Sequence, residues 1–354
     1  MKILITSRLF LPLLGGSIDS CCYLAKGLRD LGHEVKIITR TPADSPDDPA
    51  LAEYPGLIRQ PSFREQIKLA RWCDIALQIE LSLKDALPLL VMGKPIVPTI
   101  HTTMNNGLGE KTPLQIILKR ELLRFFPTIA VSSYVAQNWR LRAVPIVTTY
   151  DDEVFRFPDA AKPRDHGIIY LGRHITEKGV QVLIEALILL NQKGIRPLTS
   201  ILGDGPLRPE LETTVVQAGM AGWVKFAGRL STPDMVDLMQ RTRVQVVPSV
   251  WDEPLGLVVM QGLACGCRVV ASQCGGIPEA GGDCVIYCQA GDAADLAAKI
   301  AQALTMPDEL ADDERTRLER HLSAVSRRQF SLEYEKVLNA VIAGKFTPPP
   351  ALAT

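Results

Sequence analysis

The residues best placed to do chemistry lie between positions 248 and 279 (PSVWDEPLGLVVMQGLACGCRVVASQCGGIPE). The β-branched run 244–247 ahead of them reads as a buried parallel strand. A loop then carries Trp251, Asp252 and Glu253. From about Pro254 the apolar spacing becomes helical, with Leu255, Val258, Val259, Gly262 and Leu263 on one face. A proline is tolerated in the first turn, where its missing N–H has no partner to lose. The helix stops at Cys265-Gly266, and a second strand, 268–271, follows at once. A carboxylate beside a helix N-terminus at the carboxyl edge of a sheet suits a ligand with both hydroxyls and phosphates. The carboxylate accepts from hydroxyls, and the open N–H groups hold a phosphate.

Other loops offer matching chemistry. Gly172-Arg173-His174-Ile175-Thr176-Glu177-Lys178-Gly179 follows strand 168–171. Arg173 as a fork and Lys178 as a point charge can neutralise a diphosphate. Gly203-Asp204-Gly205-Pro206 is a strand-end turn whose glycines allow positive φ, and a purely structural turn explains Asp204 nearly as well. In the first half, Gly15-Gly16 follows the first strand and lets a ligand approach the backbone closely. His101 closes strand 95–100.

The residues Glu253-Pro254-Leu255-Gly256-Leu257, the Ala264-x-Gly266 step, Val269-Val270-Ala271-Ser272 and Gly275-Gly276-Ile277-Pro278-Glu279 resemble the signature of retaining glycosyltransferases of family 4. The resemblance is stronger after position 168 than before it. It implies an α/β chain of the GT-B fold, two Rossmann-like doubly wound domains facing across a cleft. It implies transfer of a hexosyl unit from a nucleoside-diphosphate sugar, UDP-glucose or a similar UDP- or GDP-hexose, to an acceptor hydroxyl in glycan, polysaccharide or glycolipid synthesis. No metal or other cofactor is implied. The residues so assigned to catalysis are His101, Glu253, Arg173 and Lys178, with the two cations on the donor's phosphates. Gly15, Gly16, Gly203, Asp204, Arg229, Leu230, Pro254, Leu255, Gly256, Leu257 and Gln261 are assigned to the rest of the donor. Backbone around 226–230 reads the base.

Four positions depart from the family pattern. Gln261 stands where a second glutamate is usual, eight positions after the first, and Gly262 stands where alanine is usual. Thr148-Thr149 replaces an Asn-Gly step. Eight residues along one helix would carry Gln261 ~12 Å from Glu253, the reach from a donor's sugar to its ribose. Two rival readings remain: a sugar-nucleotide epimerase of the same fold, and a non-catalytic nucleotide-sugar-binding protein. A dinucleotide oxidoreductase is disfavoured, because no G-x-G-x-x-G follows the first strand.

The strand–helix alternation that must position these loops fills the chain. Its 354 residues suit two domains. Residues 1–160 read as an N-terminal acceptor-side domain and 161–325 as the nucleotide-sugar-binding domain. The resemblance implies that the helix at 326–346 crosses back to the first domain, and a disordered tail is expected at 347–354. With 39 basic and 39 acidic residues, no basic stripe and a net charge of +0, nucleic acid is not an expected partner. Residues 1–7 read as a strand and not an export signal, which points to the cytoplasm. The eight cysteines read as small buried apolar residues, ahead of a metal or redox site and of disulfides. No D-x-D occurs, and Asp151-Asp152-Glu153 reads as a solvated turn, so no metal site is expected. Segment 110–126 mixes Lys111, Lys119, Arg120 and Arg124 with Ile116, Ile117, Leu118, Leu122, Leu123 and Phe125. It reads as an ordinary domain helix with a solvated basic face, or as a peripheral membrane contact of the kind the family uses to reach lipid-linked acceptors.

Overall fold

The computed structural model describes residues 1–13, 15–43, 49–104, 113–158 and 162–350. The chain divides into two compact units, residues 1–150 with 324–354, and residues 151–323. The first unit therefore ends at Tyr150, where the sequence placed the boundary at 160, and the second ends at Ser323 and not at 325.

The first unit is built on a parallel sheet of seven strands: β1 (Lys2–Ser7), β2 (Glu34–Thr39), β3 (Leu57–Arg59), β4 (Ile75–Ile79), β5 (Ile96–Ile100), β6 (Ile129–Ala130) and β7 (Val144–Pro145). Their spatial order is β3-β2-β1-β4-β5-β6-β7. Strands β1, β4 and β5 are buried almost throughout, as strands covered on both faces must be. The second unit has six parallel strands: β8 (His166–Leu171), β9 (Thr199–Leu202), β10 (Val224–Gly228), β11 (Thr242–Val247), β12 (Arg268–Ser272) and β13 (Val285–Cys288). Their order is β10-β9-β8-β11-β12-β13. Each sheet reverses its direction of strand addition beside its first strand, between β1 and β4 in one and between β8 and β11 in the other. That switch point is where α/β sheets open a crevice at their carboxyl edge.

The helix Arg327–Ile342 belongs to the first unit and completes its core with Phe330, Tyr334, Val337 and Leu338. It approaches helix Gly16–Asp30 so closely that a Cβ on Gly27 would lie 1.8 Å from Ser331 Oγ. Beyond it, Arg142 donates to the carbonyls of Pro349 (Nε, 2.7 Å) and Pro348 (Nη2, 3.1 Å). The tail expected from 347 is thus pinned through Pro349; residues 351–354 lie outside those described.

Residues 49–73 form more structure than their sequence suggested: helix Pro49–Glu53, strand β3 and helix Phe63–Trp72. The last begins with a capping box in which Ser62 and Glu65 each bond the other's backbone N–H. All eight cysteines are free thiols, six of them buried. Burial raises Cys265 and Cys267, so both stay protonated and behave as packing residues. Among the described residues no group of three or more His, Cys, Asp or Glu is arranged to hold a metal. Nor is any described helix long and apolar enough to cross a membrane.

Candidate active site

The strand order β10-β9-β8-β11 sets four candidate loops side by side on one sheet edge. Residues 229–230 follow β10, 203–205 follow β9, 172–178 follow β8 and 248–256 follow β11. These loops are packed, not merely adjacent. Gly203 N–H donates to Gly228 C=O (2.8 Å), and His174 N–H to Asp204 C=O (2.9 Å). Val250 N–H donates to Glu177 C=O (3.0 Å). Gly179 has φ 65°, and a Cβ there would lie 1.8 Å from Pro248 O, so only glycine fits that crossing.

At the centre is Glu253, 6% exposed. Its Oε1 accepts from Lys178 Nζ (2.5 Å) and from Ser249 Oγ (2.8 Å). Its Oε2 receives no hydrogen bond from the described residues. The backbone is clamped too: Gly276 N–H donates to Glu253 C=O (2.7 Å). A Cβ on Gly275 (φ 55°) would sit 2.3 Å from that same oxygen. Lys178 also stands 5.7 Å from the centre of the Trp251 ring. Arg173, in contrast, is exposed and makes neither hydrogen bond nor ion pair with its guanidinium among the described residues.

The following helix runs Leu257–Ala264, three residues shorter at its start than the spacing suggested. Gly256 takes φ 95°, a left-handed conformation that ends the loop and caps the helix without a side-chain bond. The first N–H groups of that helix are therefore open, in the position an anion would use. Glu253 lies in the loop and not on the helix, so the ~12 Å helical separation from Gln261 does not hold. Only the step from residue 257 to 261 is helical, ~6 Å of rise. Gln261 is half-buried and its side chain has no hydrogen-bond partner among the described residues. Pro254 is half-buried beside Leu255, which is 4% exposed. Asp204 Oδ1 accepts from Gly205 N–H (2.8 Å), which commits that oxygen to its own turn. Arg229 is exposed and Leu230 half-buried. His174 is fully buried between Tyr170 and Phe226, and burial lowers its pKa.

His101, Gly15 and Gly16 lie in the first unit, at the carboxyl edge of its sheet. Gly15 caps helix Gly16–Asp30 by accepting from the N–H groups of Ile18 (2.9 Å) and Asp19 (3.0 Å). His101 is 8% exposed and anchored by residues that the sequence reading passed over. Its backbone N–H donates to Glu80 Oε1 (2.8 Å), and its Nε2 lies 2.8 Å from Thr99 Oγ1. Glu80 Oε1 also accepts from Thr102 Oγ1 (3.1 Å), and its Oε2 from Lys119 Nζ (2.5 Å). Glu80 adopts φ 61°, a left-handed conformation that costs a non-glycine residue roughly 1–2 kcal/mol. Burial pushes the Glu80 carboxyl up, but Lys119 and the His101 N–H outweigh it and hold Glu80 ionised. Burial lowers the His101 pKa to about 4; Glu80 opposes that shift and Lys119 adds to it. Glu80 directly follows the strand end at Ile79, so the positional logic that singled out His101 could have found it. Lys119 could not be found that way, because only the fold brings helix Leu114–Leu123 to this edge.

Two parallel α/β units with ligand-ready loops on their carboxyl edges define a GT-B architecture. Comparison with known proteins places it more narrowly. The sequence model for glycosyl transferases group 1 matches residues 151–320, and that for glycosyltransferase family 4 matches residues 14–150. The chain belongs to this glycosyltransferase family. A D-inositol 3-phosphate glycosyltransferase of Pseudarthrobacter chlorophenolicus is 28% identical over 319 residues, covering 73% of this chain and 74% of that one. A glycogen synthase of Mycobacterium tuberculosis is 29% identical over 202 residues, 56% of this chain and 49% of its own length. An uncharacterized glycosyltransferase of Methanocaldococcus jannaschii is 29% identical over 156 residues, 43% of this chain and 41% of its own. The match thus spans about half the length of these last two relatives. In fold, the chain is similar to Anabaena HepE, solved in complex with UDP and glucose, with a TM-score of 0.76 and 18% identity over 96% of this chain and 100% of that one. Sucrose-phosphate synthase from Thermosynechococcus elongatus gives 0.75 and 19% over 97% and 99%.

Proposed function

We propose that the protein transfers a hexosyl unit from a nucleoside-diphosphate sugar to an acceptor hydroxyl, with retention at the anomeric carbon and without a divalent metal. The reading is carried by Glu253, a buried carboxylate fixed through one oxygen by Lys178 and Ser249 while the other oxygen is open. An open carboxylate oxygen beside an unpaired arginine and an uncapped helix start suits a ligand that is part polyol and part diphosphate. UDP-glucose or a similar UDP- or GDP-hexose is the favoured donor; the UDP and glucose of the HepE complex support it.

In this reading the bond between the anomeric carbon and the diphosphate oxygen breaks. The leaving diphosphate gathers negative charge, which Arg173, Lys178 and the N–H groups at Leu257 and Val258 stabilise. The acceptor oxygen bonds to the anomeric carbon on the face the diphosphate is leaving, and its proton passes to the departing oxygen. Glu253 orients the hexose by accepting from its hydroxyls, and His101 serves a substrate hydroxyl. Gly203, Asp204, Arg229 and Leu230 flank the nucleotide end.

Incubation with a panel of nucleotide-sugars in excess EDTA tests all of this. Acceptor-dependent release of nucleoside diphosphate is expected. An isomerised donor would make the protein an epimerase, and an activity that needs added Mg²⁺ or Mn²⁺ would overturn the metal-free account.

Contact with a membrane surface is a narrower proposal, and the ion pairs change its basis. Lys119 is bonded to Glu80, while Arg120 and Arg124 share Glu121. What remains is a short apolar stripe, Leu114 and Leu118 one turn apart on the helix with Phe125 just beyond its end, 70%, 56% and 84% exposed. Lys111 lies outside the described residues. Co-sedimentation with liposomes should therefore change little with salt; protein that stays in the supernatant would leave the stripe as plain surface.

A further inference from the structure

We propose that Thr99, backed by Glu80 and Lys119, is a positioning residue that holds His101 in the tautomer protonated on Nε2, so that Nδ1 is the hydrogen-bond-accepting atom it offers to a substrate hydroxyl. The inference rests on the reading that His101 meets substrate. A threonine hydroxyl has one proton to donate and lone pairs to accept with. Thr99 is fully buried in β5, and its Oγ1 lies 3.3 Å from Gln78 C=O and 2.8 Å from His101 Nε2. The carbonyl can only accept. If Thr99 gives its proton to Gln78, it must accept from the imidazole, and both bonds form. If it gives the proton to the imidazole, the contact with Gln78 is lost. The arrangement that keeps both bonds puts the proton on Nε2 and leaves Nδ1 bare.

The charged groups around the ring point the same way. A histidine becomes an imidazolium most readily when a carboxylate accepts from its ring. Glu80 is the acid beside His101, and it is already committed. One oxygen takes the His101 backbone N–H and the Thr102 hydroxyl; the other takes Lys119. Lys119 itself disfavours a second positive charge nearby, which agrees with the lowered titration of His101. Nδ1 makes no hydrogen bond among the described residues. The left-handed conformation of Glu80 belongs to this device, because that residue spends backbone strain to tie β4 to the end of β5. The ring is thus neutral, with its donor nitrogen turned to the protein. Its acceptor nitrogen remains for a ligand that can only donate there, such as a sugar hydroxyl.

The tautomer is read directly from long-range ¹H–¹⁵N correlations of the imidazole rings in ¹⁵N-labelled protein. With five histidines in the chain, His101 is assigned by comparison with a His101→Gln sample. A pyrrole-type Nε2 and a pyridine-type Nδ1, unchanged from pH 5 to pH 8, are expected. Thr99→Val, which keeps the shape and removes the hydroxyl, should mix or invert the tautomers and lower kcat about tenfold with little change in donor KM. Thr99→Ser should restore both. A native ring protonated on Nδ1, or a Thr99→Val spectrum identical to the parent, overturns the inference. The expected tautomer with full turnover in Thr99→Val would instead overturn the assignment of His101 to the transfer reaction.

Discussion

Each unit carries the same trio at the carboxyl edge of its sheet: a glutamate, half-buried in the first and buried in the second, a lysine bonded to it, and a tryptophan under the lysine. In the first unit Lys119 meets Glu80 and stands 5.5 Å from the Trp139 ring. In the second Lys178 meets Glu253 and stands 5.7 Å from Trp251. The trios differ in what they leave unsatisfied. Both oxygens of Glu80 are used, and Trp139 Nε1 donates to Thr102 C=O (2.7 Å). Among the described residues Glu253 has one oxygen open, and Trp251 Nε1 has no partner. A closed network fixes the backbone around a functional group, while an open one is ready for a ligand. The same three residue types thus serve as scaffold in one place and as site in the other.

The sharpest way to break this comparison is to remove the two lysines in turn. Lys178→Ala strands a buried carboxylate and should cost about 3 kcal/mol of stability in urea titrations, while Lys119→Ala strands a half-buried one and should cost less. Lys178→Ala should lower kcat by roughly 10²–10³-fold, the loss typical of a donor aimed at developing charge, and Lys119→Ala by no more than the roughly tenfold expected of a positioning residue. Equal kinetic losses in both variants would refute the division into scaffold and site.

Acid offers the next largest effect, and it belongs to the first unit. His101 titrates at about 4 when folded and near 6.5 when unfolded. Between those values the unfolded chain binds more protons, so stability is full above about pH 6.5 and falls as pH drops toward 4. The limit is about 3 kcal/mol. Denaturation midpoints across that window should flatten in His101→Gln relative to the parent; parallel curves would place the buried, neutral ring in error.

Smaller effects separate the exposed cation from the buried ones. Arg173→Ala should leave the melting temperature unchanged and reduce turnover about tenfold or more, from a charge-assisted bond of ~1.5–3 kcal/mol. A turnover equal to the parent's would remove Arg173 from the leaving-group site. Smallest is Gln261, whose amide can accept from one ribose hydroxyl and donate to another. Calorimetry should show nucleoside diphosphate binding a few-fold weaker in Gln261→Ala and equal or slightly tighter in Gln261→Glu. An alanine variant that titrates like the parent would separate Gln261 from the ribose.

Much of the second unit was legible because its signals are local. The strands read at 244–247 and 268–271 fall inside β11 and β12, since their β-branched runs mark them without help from the fold. The start of the helix after Glu253 was not legible. Pro254 and Leu255 continue its apolar pattern, and only the left-handed Gly256 shows that the helix begins at Leu257. In the first unit the Ser62–Glu65 capping box was available in the sequence and would have marked a helix start. The Glu80–Lys119 bond was beyond any local signal, because 39 residues separate its partners. Lys119 looked like part of a solvated basic face until the fold turned it inward.

The return of helix Arg327–Ile342 to the first unit bears on how the chain is made. Phe330, Tyr334, Val337 and Leu338 complete a core whose other buried members come from the first 150 residues. The second unit is one uninterrupted segment, 151–323, and can close as soon as it leaves the ribosome. The first unit, synthesised earliest, has to wait for the last. During translation the side of helix Gly16–Asp30 that Arg327–Ile342 covers stands bare until residues 151–323 have been made, and the returning helix acts as the latch that ends that exposure.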